Sequence, residues 1–574
     1  MPKYDPLMPY QADDPTDEQR YAMLRYALLL NDRREDFDYI LDILRPPPDI
    51  TSIAPKKSGK NIKIAVMGAG EAGLSAAYEL KKIGCDITIF EASNRIGGRI
   101  YTNYFDNERK YFGELGAMRI PVSHETTWHY INKFNLKTRP FVNKNINGLF
   151  YLRDSYAIND PGGISVQQNI YPKYNLSRDE RNTPWQDLSG RMFNKYFYSL
   201  PPQIRKELIE IKPVYSQAIQ NIDKLDLRSA YENAGLSQDA ISMIGFLSAF
   251  ENAFLKISLT EIFQEAYTED LAFTYYINGG MINLPLAFYN SLSSKNGYGY
   301  AHIDSHDLGQ VIFRMEWSVD GIYLSPDNKG IILECRDTNT FEITFERFDY
   351  IVCAIPFSSL RRVMAKPLFS VPKQQAISEL NYEDSQKTLL FLKDRFWEAG
   401  DPYTRIVGGR SLTDLPNITV YYPSDHAMPI PGIVNGWTMR PNSSPQDPGV
   451  LYASYNWGQD SVRLGNEHID LRVYDVKKYI EKIHGLPFGY IDKKMIASSS
   501  ILWSKVQYIW GGACTTKPQD KLLFSYVVTL PEINDRVFFA GEHISQKHAW
   551  QQGSLKTGML AANEIAKRIN QRNP

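Results

Sequence analysis

The first strong periodicity in the chain joins a strand, a tight turn and a helix. Residues 64–67 are continuously apolar, which is typical of a strand that is buried on both faces. A Gly-x-Gly-x-x-Gly turn follows at 68–73, and small and apolar residues then recur at helical spacing from 74 to 80. A second apolar run ends in an acid, Glu91. This order predicts a β-α-β unit of a parallel sheet.

Longer periodicities divide the rest of the chain. Two helical patterns precede the proline run at 46–48, and we expect them to pack on the main body or on another subunit. Apolar residues at three- and four-residue spacing predict helices over most of residues 178–270. Alternation predicts strands between residues 311 and 355, and residues 371–525 mix both patterns.

The glycine turn carries chemistry because it lies between a strand and a helix. Gly68 permits a tight turn, Gly70 lets the backbone approach a pyrophosphate, and Gly73 lets the helix pack closely on the strand. The helix N-terminus offers unpaired N–H groups to a phosphate. Glu91 can accept hydrogen bonds from ribose hydroxyls and would repel a 2′-phosphate, which disfavours NADP. The contacts predicted here are Gly68, Gly70, Glu71, Ala72, Gly73, Glu91 and Ala92.

A second set of motifs favours FAD over NAD. The run Arg95-Ile96-Gly97-Gly98-Arg99 comes soon after Glu91, where a long, extended cofactor can meet a cation beside its pyrophosphate. Further motifs lie at 113–121 and 536–543, followed by Ala549-Trp550 and a helix of small residues at 554–569. On these residues the chain resembles the flavin amine oxidase superfamily, and within it the L-amino acid oxidases and their tryptophan 2-monooxygenase relatives. The resemblance spans roughly residues 61–570.

The resemblance implies a multidomain α/β (α+β) fold. It has a Rossmann-like FAD-binding domain, a substrate-binding domain built on a mixed β-sheet, and a helical insert. The predicted segments are 1–60 for an N-terminal helical extension and linker, 61–120, 286–370 and 526–574 for the FAD-binding domain, 121–175 and 371–525 for the substrate-binding domain, and 176–285 for the helical insert.

The resemblance also implies a substrate site. Arg119 matches the arginine that binds the substrate carboxylate, a role that suits a planar and permanently charged guanidinium. Tyr455 matches a tyrosine that shares this carboxylate, and Ala549 and Trp550 match the pair that faces the flavin ring. Lys387 matches the lysine that holds a water near flavin N5. We therefore expect catalytic roles for Lys387, Arg119, Tyr455 and Trp550, and substrate binding by Arg119, Tyr455, Ala549 and Trp550.

Contacts to FAD are expected from both ends of the chain. Glu542 matches an acid near the ribityl–pyrophosphate region, and Ser554 begins the helix that points at the pyrophosphate. Cys514 lies in a flavin-facing motif, but nothing in its spacing marks covalent attachment, so we expect non-covalent FAD. The further predicted contacts are Gly98, Arg99, Gly116, Ala117, Met118, Arg119, Val311, Gly512, Gly541, Glu542, Ala549, Trp550, Gln551, Gln552 and Ser554.

The activity that the resemblance implies is oxidative deamination of an L-amino acid. Hydride transfer from Cα to flavin N5 leads to a 2-oxo acid, ammonia and hydrogen peroxide. The alternatives are an L-amino acid 2-monooxygenase that gives an amide and CO2, an amine or polyamine oxidase, and a flavoprotein without turnover. Two side-chain classes stay open for the substrate, of which a broad or large hydrophobic one is favoured. A basic side chain would pair with acids (Glu265, Glu269, Asp270, Glu383, Asp384), and a large hydrophobic one would meet aromatics (Phe263, Phe273, Tyr275, Tyr276).

Composition limits the partners that we expect. The net charge of −1 gives no electrostatic footprint for nucleic acid. Four scattered cysteines suggest neither disulfides nor a metal site, and His302 with His306 predicts a surface pair. Met1–Asp5 does not begin a secretory signal, and no apolar run approaches the ~18 residues of a membrane span. We therefore expect a cytoplasmic enzyme, a homodimer by the resemblance, whose partners are an L-amino acid and O2.

Overall fold

The computed structural model describes residues 4–572. Residues 1–3 and 573–574, which the predicted extension and the last FAD-binding segment include, lie outside the described residues. The α-helices are α1 (Asp17–Leu30), α2 (Phe37–Leu44), α3 (Glu71–Lys82), α4 (Glu125–Lys133), α5 (Ile164–Asn169), α6 (Arg178–Arg181), α7 (Trp185–Phe193), α8 (Pro202–Arg205), α9 (Gln217–Asp223), α10 (Leu227–Asn233), α11 (Gln238–Leu247), α12 (Glu251–Phe254), α13 (Leu259–Tyr267), α14 (Asn283–Ser293), α15 (Phe357–Leu360), α16 (Val371–Glu379), α17 (Gly458–Gly465), α18 (Ile469–Ile483), α19 (Tyr490–Lys494), α20 (Asp520–Phe524) and α21 (Gln551–Arg572).

Short strands alternate with these helices along the chain. They are β1 (Lys63–Met67), β2 (Asp86–Glu91), β3 (Thr102–Tyr104), β4 (Phe112–Glu114), β5 (Ile120–Pro121), β6 (Thr138–Phe141), β7 (Leu149–Leu152), β8 (Ser155–Ile158), β9 (Thr274–Ile277), β10 (Val311–Met315), β11 (Trp317–Leu324), β12 (Ile331–Asp337), β13 (Ile343–Phe348), β14 (Tyr350–Cys353), β15 (Met364–Lys366), β16 (Asn381–Glu383), β17 (Ser385–Leu392), β18 (Gly409–Thr413), β19 (Thr419–Tyr422), β20 (Ala427–Pro429), β21 (Trp437–Met439), β22 (Gly449–Trp457), β23 (Met495–Leu502), β24 (Ala513–Thr515) and β25 (Val537–Phe539).

A parallel sheet in the order β10-β2-β1-β14-β25 forms the first layer. Alternate residues of β1 face two different cores, because successive side chains point to opposite faces of a sheet. Ile64 and Val66 belong to one core, and Ala65 and Met67 to the other. Both faces are therefore covered, which explains the continuous apolar runs of the sequence. The predicted multidomain α/β, Rossmann-like fold is confirmed, whereas the domain boundaries stay a prediction.

Helices α3 and α21 lie together on one face of this sheet. The hydroxyl of Ser75 in α3 donates to the carbonyl oxygen of Leu555 in α21, at 3.1 Å. A Cβ at Gly558 would lie 2.2 Å from the carbonyl oxygen of Ala72, so the crossing requires glycine there. The close crossing brings the N-terminal turns of both helices to the same edge of the sheet.

A second, mixed sheet has the order β23-β17-β22-β19-β18-β7-β8. Its strands are antiparallel except for the pair β18 and β7. Lys387 lies opposite Tyr455, and Ser385 lies opposite Trp457, so these four side chains share one face of the sheet. That face is the one turned towards the parallel sheet, because all four residues line the space between the two sheets.

The N-terminal helices pack on the main body rather than projecting from it. Helix α1 begins with a capping box between Thr16 and Gln19. Buried Arg20 pairs with Glu125 at 2.6 Å, and buried Arg33 pairs with Glu269 at 2.9 Å. Within residues 4–572, no helix is both long and apolar enough to cross a membrane.

Candidate active site

A cavity of about 500 Å³ lies between the two sheets. The ends of four parallel strands meet it at Gly68, Glu91, Ala354 and Gly541, as expected for ligand sites at the carboxyl edge of such sheets. Most of the predicted site residues line it, namely Gly68, Gly70, Glu71, Ala72, Glu91, Ala92, Gly98, Arg99, Gly116, Ala117, Lys387, Tyr455, Gly512, Gly541, Glu542, Ala549, Trp550, Gln551 and Ser554.

Five predicted site residues lie outside this lining: Gly73, Met118, Arg119, Val311 and Gln552. The first three are next to lining residues. A Cβ at Gly73 would meet the Gly68 carbonyl, Met118 Sδ accepts from Lys387, and the Arg119 guanidinium lies beside the Trp550 ring. Val311 begins the edge strand β10. The amide of Gln552 turns away from the cavity, where it bonds the carbonyl of Leu44 and the N–H groups of Thr126 and Thr127.

The glycines of the turn differ in what requires them. Gly68 has φ of 101°, and a Cβ on Gly73 would lie 2.0 Å from the Gly68 carbonyl oxygen, so the fold itself needs glycine at both positions. A Cβ on Gly70 would meet only the Cα of Gly98, at 4.0 Å. Protein packing therefore tolerates a side chain at Gly70, and what it would fill is the gap beside the N-terminus of α3.

Charged side chains stand around this gap in fixed positions. Glu91 accepts from the N–H of Ala69 at 2.9 Å and from Ser93 at 2.7 Å. Arg99 donates to Glu542 at 2.7 Å. Burial raises the pKa of Glu542, but Arg99 and other neighbours outweigh this effect and hold that pKa below its usual value. The Glu542 carboxylate is thus charged, and it also accepts from the N–H of Ala549 at 2.9 Å.

Lys387 is a buried lysine that lines the cavity from strand β17 of the second sheet. Its Nζ donates to the carbonyl oxygens of Gly116 at 2.5 Å and Glu114 at 3.2 Å, and lies 4.4 Å from the centre of the Tyr455 ring. Burial lowers the pKa of Lys387 to about 7, the charge of Glu114 opposes this, and Arg119 adds to it. The ammonium therefore titrates near neutral pH, where ordinary lysines stay charged.

Arg119 lies beside Trp550, with its guanidinium carbon 5.7 Å from the centre of a ring of the indole. Its Nη1 donates to the phenol oxygen of Tyr421 at 3.0 Å and to Asn143 at 3.3 Å. Burial lowers the pKa of Arg119, but Tyr421, Tyr455 and other neighbours raise it above its usual value. Among residues 4–572, both hydrogen bonds of this guanidinium come from Nη1, so Nε and Nη2 remain for a carboxylate.

The loop 547–550 is tied to helix α13 and the turn after it by three acids. Glu261 bonds His548 at 2.8 Å, Glu265 accepts from the Trp550 indole at 2.8 Å, and Asp270 forms a buried ion pair with Lys547. Burial raises the pKa of Asp270, but Lys547 and His124 lower it to about 2. These bonds hold Ala549 at a left-handed φ of 63° and set the plane of the Trp550 ring.

Known proteins share the sequence of this chain over most of its length. A sequence model of flavin-containing amine oxidoreductases matches residues 72–566. The chain belongs to the flavin-containing amine oxidoreductase family. It is 29% identical to the YobN protein of Bacillus subtilis (strain 168) over 511 residues, which cover 88% of this chain and 94% of that protein. It is 28% identical to an L-amino-acid oxidase of Siganus canaliculatus over 515 residues, with 88% and 85% covered.

Solved structures of amine oxidases share the fold of this family member. Putrescine oxidase bound to putrescine superposes with a TM-score of 0.64 at 13% identity, covering 88% of this chain and 98% of that one. Cyclohexylamine oxidase from Brevibacterium oxydans IH-35A gives a TM-score of 0.60 at 15% identity, with 89% and 99% covered. The predicted family is confirmed, and with it a flavin-dependent oxidoreductase.

The cavity of this amine oxidoreductase fits FAD by its own chemistry. The gap between Gly70 and Gly98 leaves room for a group that approaches the backbone closely. The N-terminus of α3 faces it without a side-chain cap, and helix N-termini attract phosphates. A carboxylate, Glu91, stands where a ribose can donate to it, and the buried Oε1 of Gln551 has no partner among residues 4–572.

Several residues at the cavity were not predicted from the sequence. Trp503 lines it and donates its indole N–H to the carbonyl oxygen of Leu115 at 3.0 Å. Two more lie behind the lining, on strands of the second sheet: Tyr421 accepts from Arg119, and Arg410 donates to the same Tyr421 oxygen. A tryptophan after an apolar run was the available signal for Trp503, whereas nothing local marks the other two, since their role depends on strand register.

Substitutions at the glycine turn should separate folding from cofactor binding. We expect Gly70→Ala to keep the fold and to raise the Kd for FAD by about tenfold or more, because the methyl group occupies the gap. Gly73→Ala should lower the free energy of unfolding by about 2 kcal/mol or more, because its methyl group meets a carbonyl oxygen. Fluorescence titration of apoprotein with FAD and thermal unfolding measure the two effects. Gly190→Ala, in α7 with open space around it, is the control. If Gly70→Ala bound FAD as tightly as the wild type, the gap beside Gly70 would not be part of the cofactor site.

Breaking the ion pair below Trp550 should cost stability. Lys547→Met leaves the buried Asp270 carboxylate without its strongest compensating charge, so we expect the free energy of unfolding to fall by about 3 kcal/mol at pH 7. Urea denaturation measures it. The double variant Lys547→Met/Asp270→Asn should recover part of the loss, and simple additivity of the two single losses would contradict the coupling.

Proposed function

We propose that this flavoenzyme oxidises an L-amino acid with non-covalently bound FAD. The amino acid, O2 and water give a 2-oxo acid, ammonia and hydrogen peroxide. The observation that carries the proposal is Arg119, a permanently charged guanidinium beside Trp550 that has donors left for a carboxylate. A planar guanidinium binds a carboxylate through two parallel hydrogen bonds, and a simple amine offers no such group.

Each neighbouring side chain has a role that follows from its position. Tyr455 and Arg119 would bind the substrate carboxylate, and Trp550 with Ala549 would wall the amine side of the pocket. FAD, when bound, would take a hydride from the substrate Cα and return the electrons to O2. Lys387, held by two backbone carbonyls, would supply positive charge beside the place where oxygen is reduced. The substrate amine must lose a proton before its Cα hydrogen leaves as hydride, so turnover should rise with pH on the acid side.

Non-covalent binding of FAD is supported by the positions of the cysteines. Cys85, Cys335, Cys353 and Cys514 are all buried in strands or cores, and none of the four lines the cavity. Burial raises the pKa of the Cys514 thiol well above its usual value, which makes it a poor nucleophile. Acid precipitation should therefore leave the yellow colour in the supernatant. A coloured pellet would show a covalent link.

The reaction is tested by anaerobic bleaching of the flavin absorbance. Purified holoenzyme is mixed with L-amino acids, their D-enantiomers and the corresponding amines. Bleaching by L-amino acids supports the proposal, whereas bleaching only by amines supports an amine or polyamine oxidase, as in the solved putrescine and cyclohexylamine oxidases. Product analysis then separates a 2-oxo acid with peroxide from an amide with CO2, the 2-monooxygenase outcome. A dimer and a cytoplasmic location stay predictions from the sequence.

A further inference from the structure

One face of the second sheet presents a row of side chains that leads away from the flavin end of the cavity. Lys387 of β17 lies opposite Tyr455 of β22, and Arg410 of β18 lies opposite Tyr421 of β19. The rings of Tyr421 and Tyr455 are 6.3 Å apart. Tyr455 itself lies opposite Thr419, and Tyr421 lies opposite Tyr452, so this row runs obliquely across the strands. Because neighbouring strands lie about 4.8 Å apart, Arg410 is two strands, or about 10 Å, from Tyr455 across the sheet, and it is displaced along the strands as well.

The far end of this row holds two arginines on one phenol. Arg119 and Arg410 both donate to the Tyr421 oxygen, at 3.0 Å and 2.9 Å. Burial raises the pKa of Tyr421, but the two guanidinium groups outweigh it and leave that pKa below its usual value. A phenol that keeps its proton brings no charge of its own, so two like charges meet there with a neutral acceptor between them.

A third cation extends the group. Lys144 follows Asn143, the other acceptor of Arg119. The surrounding protein and the charge of Arg410 together lower the pKa of Lys144 to about 8, although part of its side chain is exposed to solvent. Among residues 4–572, no carboxylate lies within salt-bridge distance of Arg119, Arg410 or Lys144. The excess of positive charge therefore has no salt-bridge partner in the described part of the protein.

The acids nearest to these cations do not neutralise them. Glu251 acts on Lys144 from helix α12, but burial raises its pKa to about 7 and its carboxyl already accepts from Tyr231 at 2.7 Å. Glu265 acts on Arg119 from α13, and burial and Asp270 raise its pKa while it accepts from Trp550. Both carboxyls are thus engaged by other side chains, and neither forms a salt bridge with the three cations.

The acids that a basic substrate side chain would need are occupied in the same way. They are Glu265 bound by Trp550, Glu269 by Arg33 and Asn31, Asp270 by Lys547, Glu383 by Asn381, and Asp384 by Ser504. A lysine or arginine side chain would have to displace these contacts and would also approach Arg410 and Lys144. Like charges in a buried site exclude such a substrate.

From this arrangement we propose that the substrate is an acidic L-amino acid, of the glutamate and aspartate class. The inference rests on the proposed function. The α-carboxylate lies at Arg119 and Tyr455, next to the flavin, and the side-chain carboxylate reaches Arg410 and Lys144 further along the row. Two carboxylates then neutralise the group of cations. Arg410 and Lys144 are the residues that select the side chain, and Tyr421 holds the two arginines at the spacing of the two carboxylates.

Steady-state kinetics with matched substrates test the assignment. We expect wild-type kcat/KM to be higher for L-glutamate or L-aspartate than for L-leucine. In Arg410→Gln the ratio of kcat/KM for L-glutamate to that for L-leucine should fall about 100-fold, because one buried charge pair is lost. Lys144→Gln, a change at an exposed side chain that the fold should tolerate, should lower the same ratio by a smaller factor. Arg347→Gln, on the remote strand β13, is the control with the same chemical change.

Two results would overturn the inference. One is a wild-type preference for neutral or basic amino acids. The other is an equal loss for L-glutamate and L-leucine in Arg410→Gln, since Arg410 would then act through Tyr421 on Arg119, or would only attract carboxylates to the entrance.

Ligand binding separates a failure of this inference from a failure of the proposed function. Glutarate and pentanoate have the same number of carbons but two carboxylates and one, and neither carries an amine to oxidise. Titration of the flavin absorbance of oxidised holoenzyme should give glutarate a Kd about 100-fold lower than that of pentanoate, with the advantage lost in Arg410→Gln. If no amino acid bleaches the flavin but this difference is found, the dicarboxylate site stands and the proposed oxidation fails. If the two acids bind equally, the dicarboxylate site fails.

Discussion

Arg119→Gln is expected to lower kcat/KM for the best L-amino acid about 1,000-fold. The guanidinium supplies the charge that meets the substrate carboxylate in a site where burial strengthens the attraction, and removing one partner of such a pair costs about 4 kcal/mol. Glutamine keeps a polar amide but is two atoms shorter than arginine, so it removes the charge together with the bond that Nη1 donates to Tyr421. The loss should be expressed mainly in KM and in the Kd of carboxylate inhibitors.

The measurement compares each amino acid with the amine that lacks its carboxylate. In the wild type the amino acid should be strongly preferred, and in Arg119→Gln this preference should fall by the same factor of about 1,000. In Arg119→Lys the preference for the amino acid should be intermediate between those of the wild type and Arg119→Gln, because an ammonium replaces a planar guanidinium that can donate two parallel hydrogen bonds. Equal losses for amino acid and amine would mean that Arg119 supports the pocket without contacting a carboxylate, and an unchanged rate would favour an amine oxidase.

Lys387→Met should slow the reaction of the reduced enzyme with O2 by about 100-fold. A buried positive charge beside the site of oxygen reduction stabilises the negative charge that develops there, and removal of one such group typically costs about two to three orders of magnitude. Flavin reduction by the amino acid should change far less, because the carboxylate and amine are held by other residues. Stopped-flow absorbance follows the two half-reactions separately.

The titration of Lys387 predicts how both the reaction with O2 and the stability of the apoprotein change with pH. Lys387 has a pKa of about 7 in the folded protein, so it is protonated below that pH and loses its charge above it. The rate of reaction with O2 should therefore fall as pH rises through this pKa, and Lys387→Met should abolish the fall. Because the ordinary lysine pKa is about 10.5, the unfolded chain binds more protons between pH 7 and 10.5. The stability of the apoprotein should then rise with pH in that range, and less steeply in the variant.

Lys373 provides a matched control for this substitution. It is fully buried, its Nζ donates to the carbonyls of Val528 and Leu530, and burial lowers its pKa to about 7 as well. It does not line the cavity. Lys373→Met should share the stability effect and leave the reaction with O2 at the wild-type rate. A slow reaction with O2 in both variants would show that the loss is a general consequence of removing a buried lysine.

Local chemistry made the cofactor half of the site predictable from the sequence. The strand, the glycine turn, the helix and Glu91 lie within about 30 residues of one another, as a β-α-β unit requires. Their spacing alone therefore predicts where a phosphate and a ribose would lie. Motif residues such as Arg99, Glu542 and Trp550 followed from the family resemblance, and the structure brings them to the same cavity.

The substrate half was predictable only where a motif marked it. Arg119, Lys387 and Tyr455 stood in recognisable runs, but the sequence offered both acids and aromatics for the side-chain pocket. The structure engages the acids with protein partners, as Asp270 with Lys547 and Glu269 with Arg33. That pairing joins residues more than 200 positions apart, and no local pattern encodes it.

The sequence by itself determined the parallel-sheet fold, the family and the cofactor turn, because each depends on short-range periodicity or on residues close together in the chain. Only the tertiary structure decided which charges surround the substrate. Arg119, Tyr421 and Arg410 meet because β18 and β19 pair in one register, with Arg410 opposite Tyr421. A shift by one residue would turn both side chains to the other face of the sheet, so the charge of the pocket is a property of strand pairing.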